Sequence, residues 1–225
     1  MRKYVCATVQ VLLFILPWFI RRKLLTIFFK FRIAKSARIG FSIILARHLI
    51  MDNQSRIQNL CFINEIDKIV LDANSKIGRS NWITGSSAEL NRGYSATQNR
   101  KCEFILGEHS RITGNHKFDC NGGIYIGKFT TIAGSLSEFL THGINLIENY
   151  QETDKIQIGD YCFIGTRCLL LKGSKIPNKS LLAAGSIVTK KFEEECNIYG
   201  GIPAVFIKKI PTHSKYFFRN HGNVS

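Results

Sequence analysis

Acidic residues are absent from the start of this chain: the first Asp or Glu is Asp52. Residues 1–38 meanwhile hold nine Lys or Arg: Arg2, Lys3, Arg21, Arg22, Lys23, Lys30, Arg32, Lys35 and Arg38. The formal net charge of the whole chain is +15, and beyond this segment it is only mildly basic. A one-signed terminus next to apolar sequence fits an anionic membrane surface. No helix-turn-helix, finger or stacking-aromatic pattern is present to argue for nucleic acid, so none is expected as a partner. No Cys-x-x-Cys occurs among the seven cysteines, which argues against structural zinc. Reduced thiols acting as small wall-lining hydrophobes are expected instead, in a reducing compartment. No uncharged run reaches the ~20 residues of a membrane span, and no small-residue cleavage site follows the first apolar run, which argues against a signal peptide. A length of 225 residues holds one domain with attachments, or one long repeat domain.

The first apolar run, residues 5–20, reads VCATVQVLLFILPWFI, and a second, residues 24–31, reads LLTIFFKF. The basic break between them predicts a helical hairpin or a helix lying in the membrane interface. A soluble helix capping the rest of the fold is the alternative. Residues 1–36 are therefore read as an apolar and basic helical segment, capping or membrane-associated, with residues 1–31 as the possible membrane contact.

From residue 158 the sequence runs IGDYCF, IGTRCL, LLKGSK, IPNKSL, LAAGSI, V. An aliphatic residue stands at every sixth place: Ile158, Ile164, Leu170, Ile176, Leu182 and Val188. The fourth residue after each of the first five is small: Cys162, Cys168, Ser174, Ser180 and Ser186. A period of six matches neither helix nor plain strand. It predicts short strands joined by tight corners into a three-sided column, whose coils must stack to bury their apolar positions.

The same period holds at Ile57, Ile63 and Ile69, shifts to Leu71, Ile77 and Ile83, and returns at Leu106, Ile112, Phe118 and Ile124. It is lost over residues 88–103, an irregular coil or a corner loop. Between Ile132 and Ile158 a coil is over-long and carries LTHGINLIENYQETDK. Excursions from a rigid scaffold are where function concentrates. Asn74, Asn115, Asn121 and Asn178 are corner candidates, because Asn tolerates left-handed backbone. Gly40, Gly78, Gly107, Gly127, Gly159 and Gly165 each follow an aliphatic slot, where a close neighbouring backbone is expected. The tail, residues 211–225, is read as a short helix or a frayed end.

The stretch IGDYCFIGTRCLLLKGSKIPNKSLLAAGSIVTK with GGIPAVFIKK resembles the hexapeptide-repeat acyltransferases, and within them the sugar O-acetyltransferases of polysaccharide and lipopolysaccharide synthesis. The resemblance implies an all-β fold, a left-handed parallel β-helix over residues 37–210. It implies a catalytic loop over 133–157, a homotrimer, and acetyl-CoA as acyl donor with no metal. The phrase LTHG matches the family's catalytic histidine, so His142 is the candidate general base. A neutral imidazole within about 3 Å can take a sugar hydroxyl's proton as it attacks a thioester. Gly143 stands where the family often has an acidic or polar residue, so Glu148, Asp154 or a backbone carbonyl is left to orient the ring. A backbone N–H near Gly143 or Ser135 could serve the oxyanion.

By the same match Gly165, Ala184, Gly185 and Ser186 would line the pantetheine arm. Lys190 and Lys191 would lie near the phosphates, with Lys208 and Lys209 as further candidates. Asn115 is carried over as a substrate contact, with a corner role as its alternative. His116 falls at an inward place and reads as structural; His48, His109, His213 and His221 are weaker candidates. The pair of histidines a metal-dependent hydratase would need is missing around His142.

The function expected is transfer of acetyl from acetyl-CoA to a sugar hydroxyl in polysaccharide, O-antigen or capsule synthesis, at the cytoplasmic face of a membrane. A glycolipid is an acceptor of the same class. Acyl transfer to an amino sugar or its nucleotide-linked form, and a non-catalytic scaffold, are the alternatives.

Overall fold

A strand of two to four residues buries so little that its packing and hydrogen-bond partners must come from neighbouring coils. The computed structural model, which describes residues 2–90, 94 and 100–223, meets that need with three parallel sheets wound as a prism. Face A has seven strands, from Arg32–Ile33 through Ile124–Ile126 and Ile156–Ile158 to Lys175–Ile176. Face B has nine, from Arg38–Ile39 to a closing hairpin of Asn197–Gly201 and Ala204–Lys209. Face C has seven, from Ile43–Leu45 through Lys117–Asp119 and Glu138–Leu140 to Ile187–Val188. The chain visits the faces in the order A, B, C. This is the left-handed parallel β-helix expected. Its first strand, Arg32–Ile33, pairs with Ile50 and Met51 and so begins ahead of residue 37.

The six residues spaced from Ile158 to Val188 are all buried, as are Cys162, Cys168, Ser174, Ser180 and Ser186. The small inward residues also bind backbone. On face C, Cys61, Asn81, Ser137 and Cys168 fall in one column by register. Cys61 Sγ donates to Gly78 O (2.9 Å), Asn81 Nδ2 to Thr113 O (2.8 Å) and Cys168 Sγ to Ala183 O (3.2 Å). The thiols thus satisfy corner carbonyls as well as filling space. All seven cysteines are unpaired, and burial pushes the Cys162 thiol up to about 12.

Left-handed corners occur at Asn74 (φ 58°) and Asn115 (φ 60°). Asn121 and Asn178 do not take that conformation; Gly123 (φ 89°) and Lys179 (φ 54°) do. Asn178 supports its corner through its side chain, Oδ1 accepting from Asp160 N at 2.8 Å. A Cβ on Gly78 would lie 2.1 Å from Thr113 O, so the next coil's backbone fills the space a side chain would need.

The N-terminal segment forms a helical hairpin, α1 (Arg2–Leu12) and α2 (Trp18–Phe29). It covers the open end of the first coil and caps each face by a side chain. On face C, Gln10 Nε2 donates to Ile44 O (2.7 Å) and its Oε1 accepts from Ile44 N (2.9 Å). On face B, Arg21 donates to Ile39 O (2.8 Å) and to Gly40 O. On face A, Arg22 donates to Ile33 O (3.1 Å). These bonds complete edge strands that would otherwise present unpaired backbone. The opposite side of the hairpin exposes Leu12, Ile15, Phe19, Ile27 and Phe28. Among the described residues, no helix is long and apolar enough to cross a membrane.

Replacing Gln10 with Leu leaves the Ile44 amide and carbonyl buried without partners. Unfolding free energy is expected to fall by about 1–3 kcal/mol in denaturant titrations. An unchanged midpoint would remove Gln10 as a cap.

Candidate active site

Two excursions leave the prism at the corner between faces C and A. One lies between Thr84 and Glu103; of the arrhythmic stretch 88–103, residues 91–93 and 95–99 lie outside the described residues. The other follows Glu138–Leu140 and folds as a small hairpin of His142–Asn145 with Tyr150–Thr153.

His142 opens that hairpin. One coil earlier, Lys117–Asp119 pairs in parallel with Glu138–Leu140, which sets Asp119 opposite Leu140. The stacking therefore delivers a carboxylate beside a histidine distant in sequence, and His142 Nδ1–H donates to Asp119 Oδ2. The orienting group is thus Asp119 rather than Glu148 or Asp154. Glu148 lies in the hairpin turn, its amide bonded to Asn145 Oδ1 at 3.0 Å. Asp154 accepts from its neighbour's amide, Lys155 N, at 2.7 Å. No sequence signal near His142 pointed to Asp119, because the contact is made through coil register.

Asp119 is itself fixed. Its Oδ1 accepts from Asn121 N (2.9 Å) and Asn121 Nδ2 (2.7 Å), and its carbonyl accepts from Thr141 Oγ1 (2.7 Å). Asn121 Oδ1 accepts from Ser86 N (2.8 Å) in the other excursion. Arg100 donates to Ser86 O (2.6 Å), Asn121 O (3.1 Å) and Ser87 O (3.0 Å). Its guanidinium lies 4.5 Å from the Tyr94 ring centre, and Tyr94 meets the His142 ring edge-on at 6.3 Å. The two excursions are thereby tied together around the dyad.

The Asp119 hydrogen bond lifts the His142 imidazole above its ordinary value against the opposing effect of burial. With Nδ1–H directed at Asp119, Nε2 carries the lone pair, as a general base requires. The His142 side chain is 39% exposed, against 14% for Asp119, so the imidazole faces outward from a sheltered partner. A Cβ on Gly143 would lie 2.8 Å from Lys172 Cε, the far end of a flexible side chain whose ammonium pairs with Glu152, so a side chain there displaces only that lysine.

The remaining candidates lie elsewhere. Gly165, Ala184 and Gly185 stack at the corner between faces B and C, and Asn115 stands at that same corner several coils earlier. This is the opposite edge of face C from His142. The amides of Gly165 and Gly185 are engaged by Leu182 O and Thr166 O, both at 2.9 Å. Ser186 turns its side chain inward, where Oγ donates to Ala183 O at 2.6 Å, so only its backbone could line an arm. The Ser135 amide is held by Thr166 Oγ1 at 3.0 Å.

Lys191 bridges to Lys175 on face A, and Lys190 Nζ lies 5.7 Å from the Phe192 ring. Lys208 and Lys209 pair with Ile198 and Asn197 in the closing hairpin. His116 is buried, and desolvation pushes it down to about 4. Its Nδ1 accepts from Ser137 N at 3.2 Å, which confirms a structural place. His48 starts a face A strand, His109 stacks on Phe129 at 4.8 Å, and His213 and His221 lie in the tail. Among the described residues, no three His, Cys, Asp or Glu gather as a metal site.

Asp119→Asn removes the charge that holds a proton on His142. The acid limb of the kcat/KM profile is expected to move to lower pH, while kcat falls about 10-fold or more. An unmoved limb would separate Asp119 from the ionisation of His142.

No protein-family model and no curated protein matches the chain. Solved structures do. A hexapeptide-repeat acetyltransferase of Vibrio cholerae is similar over 94% of this chain and 94% of its own, at 15% identity and a TM-score of 0.51. A mutant of the N-acyltransferase AntD of Bacillus cereus, in complex with dTDP and coenzyme A, is similar over 85% of this chain and 89% of its own, at 17% identity and a TM-score of 0.50. A maltose O-acetyltransferase of Clostridium difficile matches at 24% identity and a TM-score of 0.45, over 48% of this chain and 59% of its own length. In the acetyl-CoA complex of the Vibrio cholerae protein the match likewise spans 61% of that chain. The chain therefore has the fold of the hexapeptide-repeat acyltransferases, a left-handed parallel β-helix.

Proposed function

We propose that the protein is an acetyl-CoA-dependent O-acetyltransferase that esterifies a sugar hydroxyl in polysaccharide, O-antigen or capsule synthesis. The observation that carries this reading is the His142–Asp119 dyad, outward-facing on a corner of the β-helix. The fold adds support, since similar structures include acetyltransferases with acetyl-CoA and a maltose O-acetyltransferase.

In the proposed reaction His142 Nε2 removes the proton of the acceptor hydroxyl as its oxygen attacks the thioester carbonyl. Asp119 stabilises the imidazolium that forms. The tetrahedral intermediate collapses with cleavage of the C–S bond, and the imidazolium returns its proton to the thiolate. The products are an acetyl ester and free coenzyme A. The dyad supplies base and acid in turn, and no metal is needed for either step.

Within one chain His142 and the residues expected along the pantetheine arm occupy opposite edges of face C. A homotrimer brings the Gly165, Ala184 and Gly185 edge of one copy to the His142 edge of the next. Lys190, Lys191 and Lys208 are then the cations offered to the phosphates, and Asn115 is offered to the acceptor. The exposed apolar side of the helical cap, joined to the acid-free sequence of residues 1–38, supports contact with the cytoplasmic face of an anionic membrane. A lipid-linked sugar would be presented there.

An amine acceptor is the second reading, favoured by the similarity to the N-acyltransferase AntD. Labelled acetyl-CoA incubated with envelope glycans separates the two: mild alkali releases label from an ester and leaves an amide intact. His142→Ala is expected to lower turnover about 100-fold or more while the oligomer persists in sedimentation. Near-normal turnover would exclude His142 as the base.

A further inference from the structure

Outward along face B, one column changes chemistry halfway up the prism. In register it reads Arg38, Arg56, Lys76 and Arg111, then Thr131 and Phe163. Neighbouring strands lie about 4.8 Å apart, so the four cations are stacked over roughly 14 Å. Like charges directly opposite one another destabilise a sheet. None of the four enters an ion pair among the described residues. Burial lowers the affinity of Lys76 for its proton, and Arg111 and Arg56 lower it further.

The tail adds a further cation. Tyr216 packs edge-on against Phe163 and donates to Cys162 O at 3.0 Å, which lays the segment along this face. Arg219 then lies over the Tyr216 ring at 3.9 Å, with all its guanidinium nitrogens buried and without hydrogen-bond partners among the described residues. Arg111 Nε is buried and likewise has no partner among the described residues. Beside the column opens a cleft of about 320 Å³, lined by Arg56, Lys76, Arg111, Asn74, His109 and His221. At the corner between faces A and B, burial raises the Asp72 carboxyl, and Asp52 and Glu108 raise it further.

We propose that this column is a binding strip for a linear acidic glycan, whose carboxylate or phosphate groups meet Arg56, Lys76 and Arg111 in succession. Its single row of charges fits an extended chain with regularly spaced anions. A nucleic acid would also need aromatic faces for its bases. The nearby Phe129 and Tyr161 stack on each other at 4.8 Å, and His109 stacks on Phe129, so those faces are largely covered. The strip needs no assumption about His142 and lies at the opposite end of the prism from Ala184 and Gly185.

The test uses the full-length protein with three labelled probes: an oligogalacturonate, a neutral dextran oligomer and a single-stranded DNA of equal charge. Anisotropy is expected to report binding of the oligogalacturonate, weakening as salt rises. Arg56→Gln with Lys76→Gln should weaken binding about 10-fold or more and lower the salt slope by roughly 1–2. Lys68→Gln with Lys117→Gln, an equal loss of charge on the other two faces, should leave it within about 2-fold. The strip variant should melt no lower than the parent, since it relieves repulsion. No oligogalacturonate binding at low salt, equal losses in both double variants, or tighter binding of DNA would each overturn the proposal.

Discussion

Among the described residues, the strands of the three faces depend on backbone hydrogen bonds to the coils beside them. The strands are too short to bury an apolar face alone, and the parallel ladder is what converts a weak local pattern into a continuous core. Such a ladder has open ends, and this chain closes them differently. At the start, Gln10, Arg21 and Arg22 reach from the helical hairpin to the first strand of each face. At the far end the chain folds back antiparallel, Asn197–Gly201 against Ala204–Lys209. The apolar hairpin is therefore structural on its inner side whatever its outer side meets.

The same ladder builds the dyad. His142 is carried by an excursion, which could in principle place it in many positions. Asp119 belongs to the regular coil beneath, and its neighbours Asn121 and Thr141 fix it from both sides. A histidine carried on an excursion is thus referred to a carboxylate of the regular coil. Arg100 and Tyr94, from the other excursion, close the group from a second direction. Preorganisation of this kind is what proton transfer to and from a reacting oxygen and sulfur requires.

The fold was legible because its signal is a period, and periods survive in a single sequence. The every-sixth spacing from Ile158 to Val188 and the small residues between them are the interior itself. His142 was offered as a candidate by resemblance, through LTHG, and the structure shows it paired with Asp119. Asp119 was not, because a contact made across stacked coils leaves no short motif. Asn178 shows a subtler limit: a corner asparagine was expected to supply left-handed backbone, and here it supplies a side-chain acceptor while Lys179 takes the unusual φ. Ser186 shows another, since its place in the hexad turns its hydroxyl inward, away from any ligand. The cation column on face B was hidden for the same reason as Asp119, its members being separated by whole coils.

The central claim is that His142 of one copy works against the edge of face C on another. Complementation between two inactive variants tests it most directly. Ala184 is exposed, so Ala184→Trp blocks the proposed cleft without touching the core; His142→Ala removes the base. Co-refolded together, the two variants should regain a substantial fraction of parental turnover, because some mixed assemblies pair an intact His142 with an intact Ala184 edge. Mixed assemblies that form but stay as inactive as either variant alone would contradict the account.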